Sequence, residues 1–167
     1  MRLPLSFTIA EVGTGEVALR RRGAAQRYPL CRGVRIPRLM PLADQVERLA
    51  AARPDVVTGP PSCLELLADE LAATRIRVTP RLTVSRGEVL RSATRSRLED
   101  VFGCRVVDYY NCDEVGNVAW QCPRDPAKMH VNTDGCVVEI LEGGERCASG
   151  AVGRVVLPNL YNWTMPF

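Results

Sequence analysis

The order of apolar runs along this 167-residue chain predicts an α/β fold, a parallel sheet flanked by helices and followed by a β-rich portion. Three observations carry that prediction. Short β-branched runs alternate with amphipathic stretches from about residue 42 to residue 110, the pattern of strand–helix–strand units. Beyond residue 115 the apolar runs shorten and are separated by Gly, Asp and Asn, as in hairpins or a meander. Hydrophobic residues at 46% and charged residues at 25% lie near globular averages, which excludes wholesale disorder and a fibrous repeat.

Residues 1–40 are the least readable segment, with scattered β-type residues, "GTGE" at Gly13 to Glu16, three consecutive arginines at Arg20, Arg21 and Arg22, and Pro29 and Pro37. From residue 41 the pattern clears. Leu42, Val46 and Leu49 recur at helical spacing and Pro54 stops the run. "VVTG" then reads as a short buried strand. Ser62 followed by Glu65 fits a capping box opening a helix whose inner face carries Leu64, Leu67, Ala68 and Leu71. "RLTVS" reads as a strand, Gly87 as a tight turn, and about Leu90 to Phe102 as a helix closed by Gly103. "CRVVDYY" is the next strand, and "NVAWQC", "CVVEILEG" and "GRVVLP" are the later β segments.

A net charge of +3 is mild, and the arginine run reads as a solvated loop rather than a phosphate-tracking surface, so no nucleic-acid partner is expected. No apolar run approaches the roughly 20 residues that cross a bilayer, so the expectation is no membrane partner and a cytoplasmic location. Seven cysteines, odd in number and irregular in spacing, point to free thiols or a metal site rather than a disulfide framework.

Parallel α/β sheets place ligands beyond the carboxyl ends of their strands, and "SRGE" and "YYNCDE" fall at such ends. Tyr110 could offer a flat face to a ring, and Glu114 a carboxylate to a divalent cation that neutralises phosphate. The residues alone favour a plainer reading, half-buried strand tyrosines and acids that solubilise a loop.

Five blocks in order decide between these readings: "RPDVVTGPPSCLELLADEL", "LTVSRGEVL", "RSRLEDVFGCRVVDYYNCDEVGNVAWQCP", "MHVNTDGCVVEIL" and "GAVGRVVLPNLYNWTMPF". Over about residues 42–167 their sequence resembles the acyl-adenylate-forming (AMP-forming) ligases, most closely the phenylacetate–CoA ligase branch with its capsule-biosynthesis-like relatives. The resemblance implies that residues 41–167 are the central part of the large N-terminal domain of such a ligase. It implies ATP, Mg²⁺ and coenzyme A as cofactors and a small carboxylic acid, aryl or similarly hydrophobic, as substrate.

In that family a Tyr-Gly-x-Thr-Glu motif lies beside ATP, and the matching residues here are Tyr110, Asn111, Cys112, Asp113 and Glu114. The resemblance thus implies an adenine contact for Tyr110 and a catalytic, magnesium-holding role for Glu114. Asn111 stands where glycine is usual and Asp113 where threonine is usual. Gly87 and Glu88 match the small turn that approaches the nucleotide or acyl pocket. Cys122 and His130, with seven residues between them, match a Cys and a His that in several relatives precede a Cys-x-Cys-Gly segment, a ligand set suited to zinc. That downstream pair is absent here, so Cys104, Cys112 or Cys136 would have to complete the set; a buried free cysteine and a packed or substrate-binding histidine is the other reading. The family's triphosphate-gripping loop and catalytic lysine have no match in the chain, which is expected to be a fragment inactive by itself. A non-catalytic α/β interaction or zinc-binding module is the alternative.

Overall fold

A computed structural model of the chain describes residues 7–14 and 31–158. The arginine run at residues 20–22, the end of "GTGE", Pro29 and the closing "LYNWTMPF" lie outside the described residues. The chain divides into two compact units, Met1–Asp108 and Tyr109–Phe167.

The first unit holds strands β1 (Phe7–Thr14) and β2 (Cys31–Pro37), helix α1 (Leu42–Ala52), strand β3 (Val56–Gly59), helix α2 (Pro61–Thr74), strand β4 (Leu82–Arg86), helix α3 (Ser92–Phe102) and the start of strand β5 (Val106–Cys112). Its strand order is β2-β1-β3-β4-β5, and β1 pairs in parallel with both β2 and β3, as β3 does with β4. The segment that sequence reading leaves unassigned therefore supplies two strands. Along β1 Ala10 and Val12 are fully buried while Glu11 lies between them, facing Arg35 in the pairing register with β2. The two-residue period is short, and its inward positions are the small Ala10 and Val12 beside an outward charge, which is what concealed the strand.

The expected helices form for the expected reasons. Val46 and Leu49 of α1, Leu64, Leu67, Ala68 and Leu71 of α2, and Leu98 and Phe102 of α3 join Ala10, Val12, Ile36 and Val57 of the sheet in one core. Gly103 ends α3 in the left-handed region at φ 63°, its N–H donating to the Glu99 carbonyl at 2.9 Å. α1 and α2 end on left-handed arginines, Arg53 and Arg75. Asp55 ties β1 to the start of β3, its carboxylate accepting from the Thr8 N–H at 2.8 Å and its own N–H donating to the Thr8 carbonyl at 2.9 Å.

The capping box at Ser62 and Glu65 does not form. α2 begins at Pro61 with Pro60 as its N-cap and no side-chain cap from within. The Ser62 hydroxyl donates instead to Glu88 at 2.9 Å, and Glu65 accepts from Thr94 at 3.4 Å. Tertiary partners outcompete the local pair because the prolines already hold the chain in the shape of a helix start.

In the second unit the rest of β5 pairs antiparallel with β6 (Gly116–Gln121), and β6 with β7 (Met129–Val131). A separate sheet orders β10 (Arg154–Val156), β8 (Glu139–Glu142) and β9 (Glu145–Arg146), all antiparallel neighbours. The mostly parallel sheet with helices and then antiparallel strands is the α/β architecture expected from the sequence.

Candidate functional site

At the carboxyl end of β4 the chain turns through Gly87 at φ 82°, a conformation that glycine adopts without strain. No atom lies within 4 Å of where a Cβ would sit, so the backbone of this turn faces open space and the left-handed conformation, not crowding, calls for glycine. Glu88 does not project freely. One carboxylate oxygen accepts from the Ser62 N–H at 3.1 Å and the other from the Ser62 hydroxyl at 2.9 Å. Pro61, Ser62, Glu65, Glu88, Arg91 and Thr94 border a cleft of about 340 Å³ there, within the range of small-ligand sites.

Sequence reading missed a second feature of the same unit. The Arg86 guanidinium donates to the Glu11 carboxylate at 2.8 Å, and Arg35 lies 3.7 Å from the other Glu11 oxygen. Two cations thus share one anion near the carboxyl ends of β1, β2 and β4. Only the parallel neighbouring of β1 and β2 reveals this, and neither strand was evident in the sequence.

The Tyr110–Glu114 motif belongs to the second unit. β5 continues through Cys112, so Asn111 and Cys112 are strand residues rather than loop residues, and the turn is confined to Asp113–Val115 before Gly116 at φ 85°. Tyr110 is 41% exposed and pairs with Ala119; Tyr109 pairs with Trp120 on the other face of the hairpin. Burial pushes the Tyr109 phenol above its ordinary pKa. The two tyrosines therefore fall on opposite faces as strand alternation requires, Tyr110 exposed and Tyr109 half-buried. The ladder slips by one residue between Tyr110 and Asn111, and the Asn111 Oδ1 is buried with no hydrogen-bond partner. Asn111 needs no left-handed backbone here; it is extended, and its cost is that unpaired acceptor. Asp113 and Glu114 are exposed at the turn. A pair of adjacent carboxylates fits Mg²⁺, which takes one or two carboxylates and fills its other positions with water and phosphate oxygens.

The zinc reading fares differently. Cys122 follows β6 with its N–H donating to the Lys128 carbonyl at 2.8 Å, and His130 lies opposite Trp120 with the two rings stacked at 5.9 Å. Among the described residues no three His, Cys, Asp or Glu side chains gather as a metal site. Cys136 is buried against the Val118 and Asn132 carbonyls, and Cys104 shares a 3.3 Å contact with the Thr83 hydroxyl. The described cysteines do not complete a zinc set around Cys122 and His130, and the six of them are unbridged.

No family model matches the chain, and no curated protein matches it. Solved structures do. A 2-hydroxyisobutyryl-CoA ligase in complex with 2-HIB-AMP and CoA is 16% identical at a TM-score of 0.76, over 94% of this chain and 37% of that one. A benzoate CoA ligase from Burkholderia xenovorans LB400 is 17% identical at a TM-score of 0.70, over 98% and 36%. The anthranilate CoA ligase AuaEII, in complex with anthranoyl-AMP, is 16% identical at 0.72, over 95% and 32%. The chain spans about a third of the length of these structures, and over that part it shares their fold.

Proposed function

We propose that the chain is part of an ATP-dependent, AMP-forming carboxylate–CoA ligase of the phenylacetate–CoA ligase type, acting on an aryl or similarly hydrophobic acid through an acyl-adenylate. The observation that carries this reading is the fold likeness over nearly the whole chain to three CoA ligases. Two of those ligases are named for aryl acids, benzoate and anthranilate, which supports the aryl preference. The exposure of Tyr110 beside a carboxylate-bearing turn supports the placing of the nucleotide.

In this reaction a substrate carboxylate oxygen bonds to the α-phosphorus of ATP as the bond to the leaving pyrophosphate breaks. The coenzyme A sulfur then bonds to the acyl carbon, AMP departs and the thiol proton passes to solvent. Both steps are governed by charge and alignment rather than by a strong general base. Mg²⁺, when bound, neutralises phosphate charge. Of the chain's own residues, Tyr110 would pack its ring on the adenine, and Glu114, with Asp113 beside it, would supply a carboxylate for the magnesium.

The test is calorimetric titration of the chain with an aroyl-sulfamoyl adenosine, a stable mimic of an aroyl-AMP. Tyr110→Ala should weaken binding by about tenfold, in keeping with the ~1–3 kcal/mol of one base–aromatic stack. Failure of the wild-type chain to bind, or equal affinity in a folded Tyr110→Ala variant, overturns the reading.

A further inference from the structure

We propose that Glu88 is a positioning residue, an N-cap delivered to α2 from across the fold, which fixes the Gly87 turn at the carboxyl end of β4. The start of α2 shows the need for it. Pro60 at the N-cap carries no hydrogen-bonding side chain and Pro61 carries no N–H. The first turn of the helix holds no acidic residue of its own, so nothing local meets the positive end of the helix dipole. The first N–H of the helix belongs to Ser62, and it donates to Glu88, 26 residues later in the chain.

The pairing is two-pronged. Backbone N–H and hydroxyl of one residue each take a different oxygen of the same carboxylate, which fixes its orientation as well as its distance. The loop between β4 and α3 is thereby pinned one residue beyond Gly87. On its near side Gly87 itself touches nothing where a side chain would be, and Val89 is almost fully exposed. Further on, Leu90 packs against the core. The Gly87 turn is thus suspended between the end of β4 and the Glu88 anchor, and its shape depends on that anchor.

Glu88 acts through α2 and Ser62, with both oxygens engaged inside the protein. That the pinned turn serves a nucleotide or acyl group rests on the adenylate-forming reading above; the anchoring does not. The two are separable in one experiment on the full chain, combining amide hydrogen exchange with titration of the aroyl-sulfamoyl adenosine. Glu88→Ala should speed exchange at the Ser62 amide by about fivefold, the ratio that an average cap converts to, and Glu88→Gln should recover part of that protection. Ser62→Ala should weaken the probe in the same direction as Glu88→Ala, and the double variant should be no weaker than Glu88→Ala alone.

Unchanged exchange at Ser62 in Glu88→Ala overturns the proposal. So does a loss of affinity in Glu88→Ala with none in Ser62→Ala, which would make Glu88 a direct ligand contact. If the wild-type chain does not bind the probe, the adenylate-forming reading falls while the exchange result still decides the cap.

Discussion

The two units hide very different amounts of apolar surface. Among the described residues Met1–Asp108 buries fourteen hydrophobic residues in one cluster, from Ala10 to Val106, while Tyr109–Phe167 buries three, Val118, Ala119 and Cys136. The second unit leaves Trp120, Met129, Val131 and Val137 at 39–42% exposure. Helices cover the parallel strands of the first unit, whereas the hairpins of the second have backbone ladders and a small core. The presented aromatic of the candidate site, Tyr110, belongs to the unit with the thin core. A strand residue can meet a ligand there because so little covers its face.

Deleting core atoms from each unit should sharpen the contrast most. Phe102 is fully buried, and Phe102→Ala should cost about 3–5 kcal/mol. Val118→Ala should cost about 2 kcal/mol. Urea unfolding followed by circular dichroism measures both, and equal losses would erase the difference between the two cores.

Next in size are the helix ends of the first unit, where conformation can be altered without touching the core. Gly103 has open space around its missing Cβ, so Gly103→Ala meets only the positive φ and should lose about 1 kcal/mol. Arg75 sits at φ 58° with a side chain, and Arg75→Gly should gain about 1 kcal/mol. Thermal midpoints must therefore move in opposite directions. A shift of the same sign in both would show that side-chain contacts, not backbone strain, govern these ends.

The smallest expected effect is a pH dependence. Burial pushes the Cys104 thiol above its ordinary range, opposed by hydrogen bonds from Thr83 and reinforced by the nearby charge of Glu99. Because the folded thiol ionises later than the unfolded one, its contribution is complete below about pH 8.5 and is lost as pH rises through the folded value. Between pH 8 and 10 the urea midpoint of the wild type should fall more steeply than that of Cys104→Ala; parallel profiles would refute it.

Most of the helical layer was legible in the sequence because apolar residues repeat at helical spacing in α1 and α2 and because Gly103 marks the end of α3. β1 and β2 were not. Glu11 and Arg35 sit inside them, and their charges make sense only once the strands are side by side. β7 and β9 are three and two residues long with no buried position, too short and too exposed for any period to register. At the site, the split between Tyr109 and Tyr110 follows from strand alternation, and the sequence suffices for it. The commitment of Glu88 to Ser62 does not follow, since a hydrogen bond across 26 residues leaves no local trace. The Ser62–Glu65 spacing even pointed elsewhere.

The position of β1 inside the sheet has a consequence for how the chain is made. One of its edges is filled by residues 31–37 and the other by residues 56–59, and the Thr8–Asp55 tie spans 47 residues. Synthesis runs from the amino end, so β1 is made before both strands that flank it, and its edges stay open while β2, α1 and β3 are synthesised. Closure of so distant a parallel pair is slow. The edge of β1 that faces β3 can be filled only after residues 56–59 have been made.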